Sequence, residues 1–512
     1  MYDVAVLGGG IAGMATAARL QASGLATVVL ESHGQPGGCA GYFRRKGFAF
    51  DVGATTLVDF SPGGVGGELL TAVGIDDLAA VELPGYVAWL PDRRVTLFRD
   101  ASRWRNERLT MLGDSAACLQ FWQILDHLAS VFWNATRRGL KLPVQSLHDL
   151  WRIATQIPPP AWPLARYLRW TVGDLLRSLR LRDNKPLCGL LSMVLEDTVH
   201  ADLDDAPLIN GSLGITIRGA GLSRARGGMY GFWRQFVARY RELGGILRVG
   251  CPVTAVTKEQ GYVVRLRRGM VRAQQVVSAL PIQLTARLAP MEVGEALQPY
   301  LRRDEEDVGG ALVLFLGVAE DEVTGQDFTH HQLLQDYDVR LGNGNNMFVS
   351  VSSPGDTLSA PAGFRTVMIS THCPLTEWEG LSEAEYTAQK QLLTRTLLKY
   401  ARRVYPRLGE RAIVCELATP RTFERFTGRP RGAVGGFRQR LSNTNQRAVP
   451  HAINVPGFWL AGDTTWPGLG TVACVHGSRI VADGILAGRT PVRTPKECEH
   501  ELNRAARSFA IR

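Results

Sequence analysis

Residues 2–31 read YDVAVLGGGIAGMATAARLQASGLATVVLE, and their order decides the fold. Tyr2–Leu7 has the apolar content of a buried strand. Ile11 to about Ser23 is a helical stretch without proline, and Ala26–Glu31 is a second strand rich in Val and Leu. Strand, glycine turn, helix and strand make a βαβ unit, which begins a parallel sheet covered by helices. The turn is Gly8-Gly9-Gly10-Ile11-Ala12-Gly13, a G-x-G-x-x-G with Gly8, Gly10 and Gly13 at the defining positions. Gly8 permits the tight turn out of the strand, Gly10 lets the backbone approach a pyrophosphate, and Gly13 lets the helix pack closely on the strand. The free N–H groups of the first helical turn, at Ile11 and Ala12, stabilise phosphate together with the helix dipole. Glu31 lies eighteen residues past Gly13 and ends the second strand. Its carboxylate can accept hydrogen bonds from both ribose hydroxyls of an adenosine. An acid there disfavours a 2′-phosphate and so disfavours NADP in this site.

The residues beyond the βαβ unit distinguish the dinucleotides. Pro36-Gly37-Gly38-Cys39-Ala40-Gly41, then Asp51-Val52-Gly53, resembles the extension typical of the amine oxidase and phytoene desaturase superfamily of flavoproteins. More than 400 residues on, Gly457-Phe458-Trp459-Leu460-Ala461-Gly462-Asp463 resembles that superfamily's second flavin motif. The resemblance implies FAD. It places Gly38, Cys39, Ala40 and Gly53 beside the pyrophosphate and ribityl chain, and the backbone of Val253 in Cys251-Pro252-Val253 against the adenine. It also implies that Asp463 hydrogen-bonds the ribityl or pyrophosphate region. The helix after Gly470-Thr471-Val472 would point its N-terminus at the isoalloxazine, which favours an anionic reduced flavin.

Over essentially its full length the chain is similar to the bacterial-type carotenoid (phytoene) desaturase and isomerase family. Thr419–Gly428, the Gly432–Gly436 loop and Asp463–Thr471 carry that likeness. The stretch Asn443-Thr444-Asn445-Gln446-Arg447 and the turn at Trp466 look more like the carotenoid C-3′,4′ desaturases, which act on 1′-hydroxylated end groups. Gly38-Cys39-Ala40 departs from the Gly-Gly-Arg common elsewhere in the superfamily and weakens an amine oxidase reading. The implied reaction removes two hydrogens from an allylic CH2–CH2 unit of a carotenoid, with hydride passing to the flavin and on to an acceptor such as quinone or oxygen. Two alternatives stand beside it. One is an FAD-dependent carotenoid cis–trans isomerase; the other is a non-catalytic, flavin-binding, membrane-associated assembly protein. No catalytic side chain is singled out, because the cofactor carries the hard step and the polyene spreads a developing cation. The proton would leave to a carboxylate or to water.

Composition sets bounds on the rest. The chain has 512 residues, 45% of them hydrophobic and 21% charged, enough for a sizeable core. At about 150 residues per domain, two to four units are expected. Net charge is +10, and residues 137–185 hold ten Lys/Arg against three Asp. Trp133, Trp151, Trp162 and Trp170 lie in or beside that stretch. Cationic residues interleaved with Trp and Leu suit an anionic lipid interface better than nucleic acid. The segment 133–185 is read as a monotopic membrane patch admitting a lipid-dissolved substrate, with an ordinary helical lid as the alternative. No secretory signal is recognised, and no run reaches the ~18–20 apolar residues of a spanning helix. Peripheral association on the cytoplasmic side of a membrane is the expectation. The eight cysteines form no C-x-x-C pair, so neither zinc nor a disulfide framework is expected.

The expected architecture is therefore α/β, with a Rossmann-type FAD domain from residues 1–70, 220–300 and 415–490. A substrate and membrane-associating domain would come from 71–219, largely helical, and 301–414, largely sheet. Residues 491–512 would be a peripheral tail, and an apolar tunnel between the domains would end at the flavin. Antiparallel strands are expected over 309–369 and a helix over 382–405. Weaker features have simple readings. Glu196, Asp197, His200, Asp202, Asp204 and Asp205 read as a solvated helix end or loop rather than a metal cluster or proton acceptor. Arg218, Arg224 and Arg226 read as surface residues rather than a tunnel mouth. No metal role is assigned to His330-His331, and Gly63–Gly67 reads as a mobile loop.

Overall fold

The computed structural model describes residues 1–488. The expected tail at 491–512 lies outside the described residues. Two sheets organise what is described. The first runs, in spatial order, Ile246–Arg248, Thr27–Leu30, Tyr2–Leu7, Met270–Ser278, Gly261–Leu266 and Val253–Glu259, with Phe458–Leu460 also paired to Met270–Ser278. Tyr2–Leu7 pairs in parallel with both neighbours, and Phe458–Leu460 is parallel too; the last two strands form an antiparallel meander. Central strand residues Val4–Leu7 and Thr27–Leu30 are fully or almost fully buried because helices cover them.

The helix Ile11–Ala22 is buried along nearly its whole length, between this sheet and the C-terminal helix Thr471–Ala487. One ion-pair network joins these helices to a third, Val65–Val73. Arg19, 6% exposed, donates from Nη1 and Nη2 to the two carboxylate oxygens of Glu68 at 2.8 and 2.5 Å, and from Nε to Ser478 Oγ at 3.2 Å. Burial opposes the Glu68 charge, but the paired guanidinium outweighs it and holds the carboxyl below its usual range. A bidentate pair of this kind fixes orientation as well as distance. Helices whose bonded residues lie 459 positions apart in the chain are thereby locked face to face.

The second sheet runs Val414–Ala418, Val308–Ala319, Phe364–Cys373, Asn346–Val351, His330–Leu334, Gly85–Trp89 and Arg94–Phe98, with Val434–Phe437 also paired to Val308–Ala319. Its strands between 308 and 373 are antiparallel neighbours, as their alternating pattern predicts. Helix Glu383–Ala401 packs against this sheet with Leu393 and Leu397 buried. The segment 71–219 is less uniformly helical than expected, since Gly85–Trp89 and Arg94–Phe98 extend the second sheet.

Gly63–Gly67 is not a mobile loop. Residues Val65, Gly66 and Gly67 are buried in the first turn of helix Val65–Val73, and Asp59 accepts the Val65 N–H at 2.8 Å. No helix among the described residues is long and apolar enough to cross a membrane. The seven described cysteines are unpaired.

Candidate functional site

Three glycine segments converge at one end of a cavity of about 1310 Å³. The Gly37 N–H donates to the Gly9 carbonyl at 2.9 Å, so the second glycine loop leans on the first. A Cβ on Gly53 would stand 2.6 Å from the Cys39 carbonyl oxygen, which packs the third segment beneath the second. Trp233 Nε1 donates to the Ala40 carbonyl at 2.8 Å and holds that loop from behind. The turn itself divides its labour. A Cβ on Gly13 would meet the Gly8 carbonyl oxygen at 2.1 Å, whereas one on Gly10 would meet nothing within 4 Å because Gly10 faces the cavity.

The structure places Gly8, Gly10, Ile11, Ala12, Glu31, Gly38, Cys39, Ala40, Gly53, Asp463, Gly470 and Thr471 on this one cavity wall. Three expected residues stand elsewhere. Gly13 lies behind the wall at the helix–strand contact. Val253 opens the strand Val253–Glu259 and does not line the cavity; near it the Cys251 N–H donates to the Glu31 carbonyl at 2.8 Å. Val472 packs against the core. The Glu31 carboxylate is buried, accepting the Gly9 N–H at 2.7 Å through Oε2 and the His33 N–H at 2.7 Å through Oε1. Ser32 Oγ also donates to Oε1 at 3.3 Å, so Oε2 is the oxygen that keeps a further lone pair for a ligand.

Positive poles gather at the glycine end of the cavity. The N-termini of helices Ile11–Ala22 and Thr471–Ala487 both open on the cavity, and first-turn N–H groups have no intrahelical acceptor. Arg429, which lines the same wall, donates from Nη2 to Asp463 Oδ2 at 2.6 Å. Both side chains are largely buried, at 14% and 12% exposure. Burial works against the guanidinium, yet the Asp463 carboxylate keeps it firmly charged. Burial pushes the Cys39 thiol up, only partly opposed by Arg429. Arg429 escapes a motif reading because it falls one residue past the Thr419–Gly428 stretch. Its position beside Cys39 supplies a cation where that loop has none. Two helix N-termini, a guanidinium, an open glycine and an acid at the end of the second strand form a donor set that suits an elongated dinucleotide with a pyrophosphate.

Beyond the glycine end the wall changes character. Met193, Ile217, Leu222, Met347 and Phe348 make an apolar chamber, and a few polar groups intrude: Tyr86, Asp197, Arg218 and Gln332. Here two sequence readings are corrected. Arg218 and Arg224 are not surface residues, being 5% and 3% exposed; Arg226 is exposed. Arg224 Nη1 donates to Asp51 Oδ2 at 2.5 Å, and Asp51 Oδ1 accepts the Met229 N–H at 2.7 Å. Burial raises the Asp51 carboxyl in spite of that pairing.

The acidic run at 196–205 is likewise not a uniformly solvated end. Asp202 and Asp204 are exposed, but Glu196 and His200 are buried and Asp197 reaches the chamber, because helix Lys185–Val199 runs beneath it. Burial raises the Asp197 carboxyl, partly offset by His372 and Arg218. His330 and His331 begin a strand and are fully buried, and burial depresses the basicity of both. No group of three or more His, Cys, Asp or Glu among the described residues is placed to hold a metal ion.

Known proteins bear on this arrangement. The family model described as flavin containing amine oxidoreductase matches residues 11–486. The chain is 26% identical to prolycopene isomerase of Daucus carota over 96% of its own length and 82% of the relative's. It is 25% identical to 4,4′-diapolycopene oxygenase of a Methylomonas species, and 20% identical to 4,4′-diapophytoene desaturase of Staphylococcus aureus. Both of those likenesses cover 94% of this chain and 98% of the relative. Among solved structures, cyclohexylamine oxidase from Brevibacterium oxydans superposes with a TM-score of 0.62 at 16% identity, covering 95% of this chain and 99% of the other.

Proposed function

The chain belongs to the flavin containing amine oxidoreductase family as an FAD-dependent oxidoreductase, and from that premise we propose that it desaturates a carotenoid. The bond proposed is C-3′,4′ of a 1′-hydroxy carotenoid. The observation that carries this reading is the single cavity that joins the glycine wall to an apolar chamber. Its volume, about 1310 Å³, exceeds the ~300–1,000 Å³ of an ordinary small-molecule site and leaves room for a second, elongated ligand. Relatives named for a carotenoid desaturase and a carotenoid oxygenase support the substrate class.

FAD, when bound, supplies the hydride acceptor, while the second hydrogen leaves as a proton. The chain's part is placement. Gly8, Gly10, Ile11, Ala12, Gly38–Ala40, Gly53 and the Arg429–Asp463 pair would hold the phosphates and ribityl chain, Glu31 would hold the adenosine ribose, and the Thr471 helix end would face the ring. The apolar wall excludes water from the allylic carbons. Asp197 is the chamber's carboxylate, raised by burial toward a proton-accepting range, and takes the proton. An acceptor such as a quinone or oxygen closes the cycle.

Delivery of so apolar a substrate is proposed to occur at a membrane. Leu147, Leu150, Trp151, Trp162 and Leu168 are each more than half exposed, with Arg166 and Arg169 exposed among them. This is the composition of an interfacial anchor, and it supports peripheral association with the cytoplasmic leaflet. The proposed division of labour keeps residues 1–70, 220–300 and 415–490 for the flavin, and 71–219 with 301–414 for the substrate.

A second reading, cis–trans isomerisation of a carotenoid without net oxidation, is favoured by the likeness to prolycopene isomerase over 96% of the chain. Co-expression in a carotenoid-producing host separates the two. Desaturation yields a pigment lighter by two hydrogens; isomerisation leaves the mass unchanged and alters only geometry.

A further inference from the structure

Arg218 is a buried cation with unused donors. Of its three nitrogens only Nη2 is engaged within the protein, donating to Gln332 Oε1 at 2.8 Å; Nε and Nη1 find no partner. The side chain is 5% exposed and lines the apolar chamber. It is also held rigidly. Gln332, 1% exposed, donates through Nε2 to Asp197 Oδ2, so the amide cannot turn without breaking that bond. The guanidinium lies over the Tyr86 ring with its centre 4.8 Å from the ring centroid, and Tyr86 stacks in turn on His330 at 5.0 Å. The Tyr86 hydroxyl is 3.3 Å from Thr56 Oγ1, three residues past Gly53, which ties the assembly to the flavin-side loop.

Buried donors without acceptors are rare and costly. A guanidinium clamped on one edge and open on the other, in a chamber whose apolar wall is Met193, Ile217, Leu222, Met347 and Phe348, is suited to a ligand that is apolar along its length and bears an acceptor at one point. A pure hydrocarbon would leave Nε and Nη1 unmet. Resting on the carotenoid reading above, we infer that Arg218, positioned by Gln332 and Tyr86, is the specificity determinant that hydrogen-bonds a hydroxyl oxygen at the substrate's end group. The clamp also sets register. With the oxygen fixed beside the Thr56 loop, the carbons a few bonds along the chain are the ones presented to the flavin side.

The test uses flavin-loaded holoenzyme and phosphatidylcholine vesicles carrying either a carotenoid with a tertiary end-group hydroxyl or the same skeleton without it. Sites that hydrogen-bond a substrate hydroxyl reject the analogue lacking it by a factor of about 10⁴–10⁵ when fully built for it, and a single clamp sets a floor well below that. Wild-type protein is therefore expected to favour the hydroxylated compound by at least ~100-fold in kcat/KM. In Arg218→Met that ratio falls to within a few-fold of one, chiefly through a higher KM for the hydroxylated compound, whereas Arg218→Lys recovers part of it. The wild-type comparison alone decides the matter if the variants do not fold. Equal kcat/KM for the two compounds overturns the clamp while leaving the carotenoid reading intact. Failure of wild-type protein to bind either, judged by quenching of flavin fluorescence, overturns both.

Discussion

Replacing Gly10 by alanine separates two demands that the first glycine turn combines. At Gly10 the backbone is extended, φ −69° and ψ 177°, a conformation alanine adopts freely. The added methyl would meet nothing within 4 Å. The flavin-free fold should accept the change, and reduced freedom of the unfolded chain should stabilise it by about 0.4–1 kcal/mol. In the complex the same methyl stands where a pyrophosphate must approach, and overpacking of that kind costs about 1–3 kcal/mol. At 1.4 kcal/mol per tenfold, FAD affinity should fall about 5- to 140-fold. Gly13→Ala is the opposite case. Its Cβ would lie 2.1 Å from the Gly8 carbonyl oxygen, 3.1 Å from Ala279 Cβ and 3.2 Å from Val6 Cγ1, so the helix must retreat from the strand. Apoprotein stability should then drop by about 1–3 kcal/mol, with flavin binding lost as a consequence. Urea unfolding of the apoproteins gives the stabilities, and titration with FAD, followed by quenching of its fluorescence, gives the affinities. A Gly10→Ala protein that binds FAD as tightly as its parent would refute the assignment of this turn to the pyrophosphate.

The same geometry sets other expectations. Arg429→Met strands the Asp463 carboxylate in a site only 12% exposed, and should cost about 3–5 kcal/mol together with most of the bound flavin. Arg429→Met with Asp463→Asn should regain stability but not flavin; calorimetry and the flavin-to-protein absorbance ratio check both, and recovery of flavin would contradict the role given to Arg429. Acid should destabilise the fold before most carboxylates titrate. Burial pushes His331, His451 and His476 down to about 4, against an unfolded value of about 6.5. Between those limits the unfolded chain binds protons that the fold refuses, so stability falls as pH drops from about 6.5 to about 4, by up to ~1.4 kcal/mol per pH unit for each histidine. Asp51 and Asp197, raised by burial, act with the opposite sign. The Tm profile of His451→Gln/His476→Gln should be flatter over that window, and an unchanged slope would remove these histidines from the account. Trp151→Ser/Trp162→Ser should lower co-sedimentation with anionic liposomes at least about fivefold, and added salt should weaken what remains; unaltered sedimentation would count against the membrane patch.

The parts legible in the sequence are those whose chemistry is local. A glycine turn between strand and helix announces itself within thirty residues, because Gly8 must adopt a positive φ of 96° and Gly13 abuts the Gly8 carbonyl five positions back. Alternation over 309–369 is equally local, and the strands appear where it predicts. What escaped depends on partners far along the chain. Arg19 meets Glu68 and Ser478, Arg429 meets Asp463, and Arg218 meets Gln332, and an arginine destined for burial carries no mark of it in sequence. Arg224 and Arg226 show the difficulty most plainly. Two residues apart, they would share a face if the strand continued, but strand Leu222–Ala225 ends between them, so one is buried on Asp51 and the other is exposed. The 196–205 run misled in the same way, because its helix enters the core from below the chamber rather than ending in solvent.

Single turnover without oxygen tests the central claim most directly. Flavin-loaded protein is mixed anaerobically with less than one equivalent of a 1′-hydroxy carotenoid in vesicles, quenched, and the pigment weighed by mass spectrometry. A desaturase must give a product lighter by two hydrogens, formed in the same amount as reduced FAD. Pigment of unchanged mass over fully oxidised flavin would contradict that reaction.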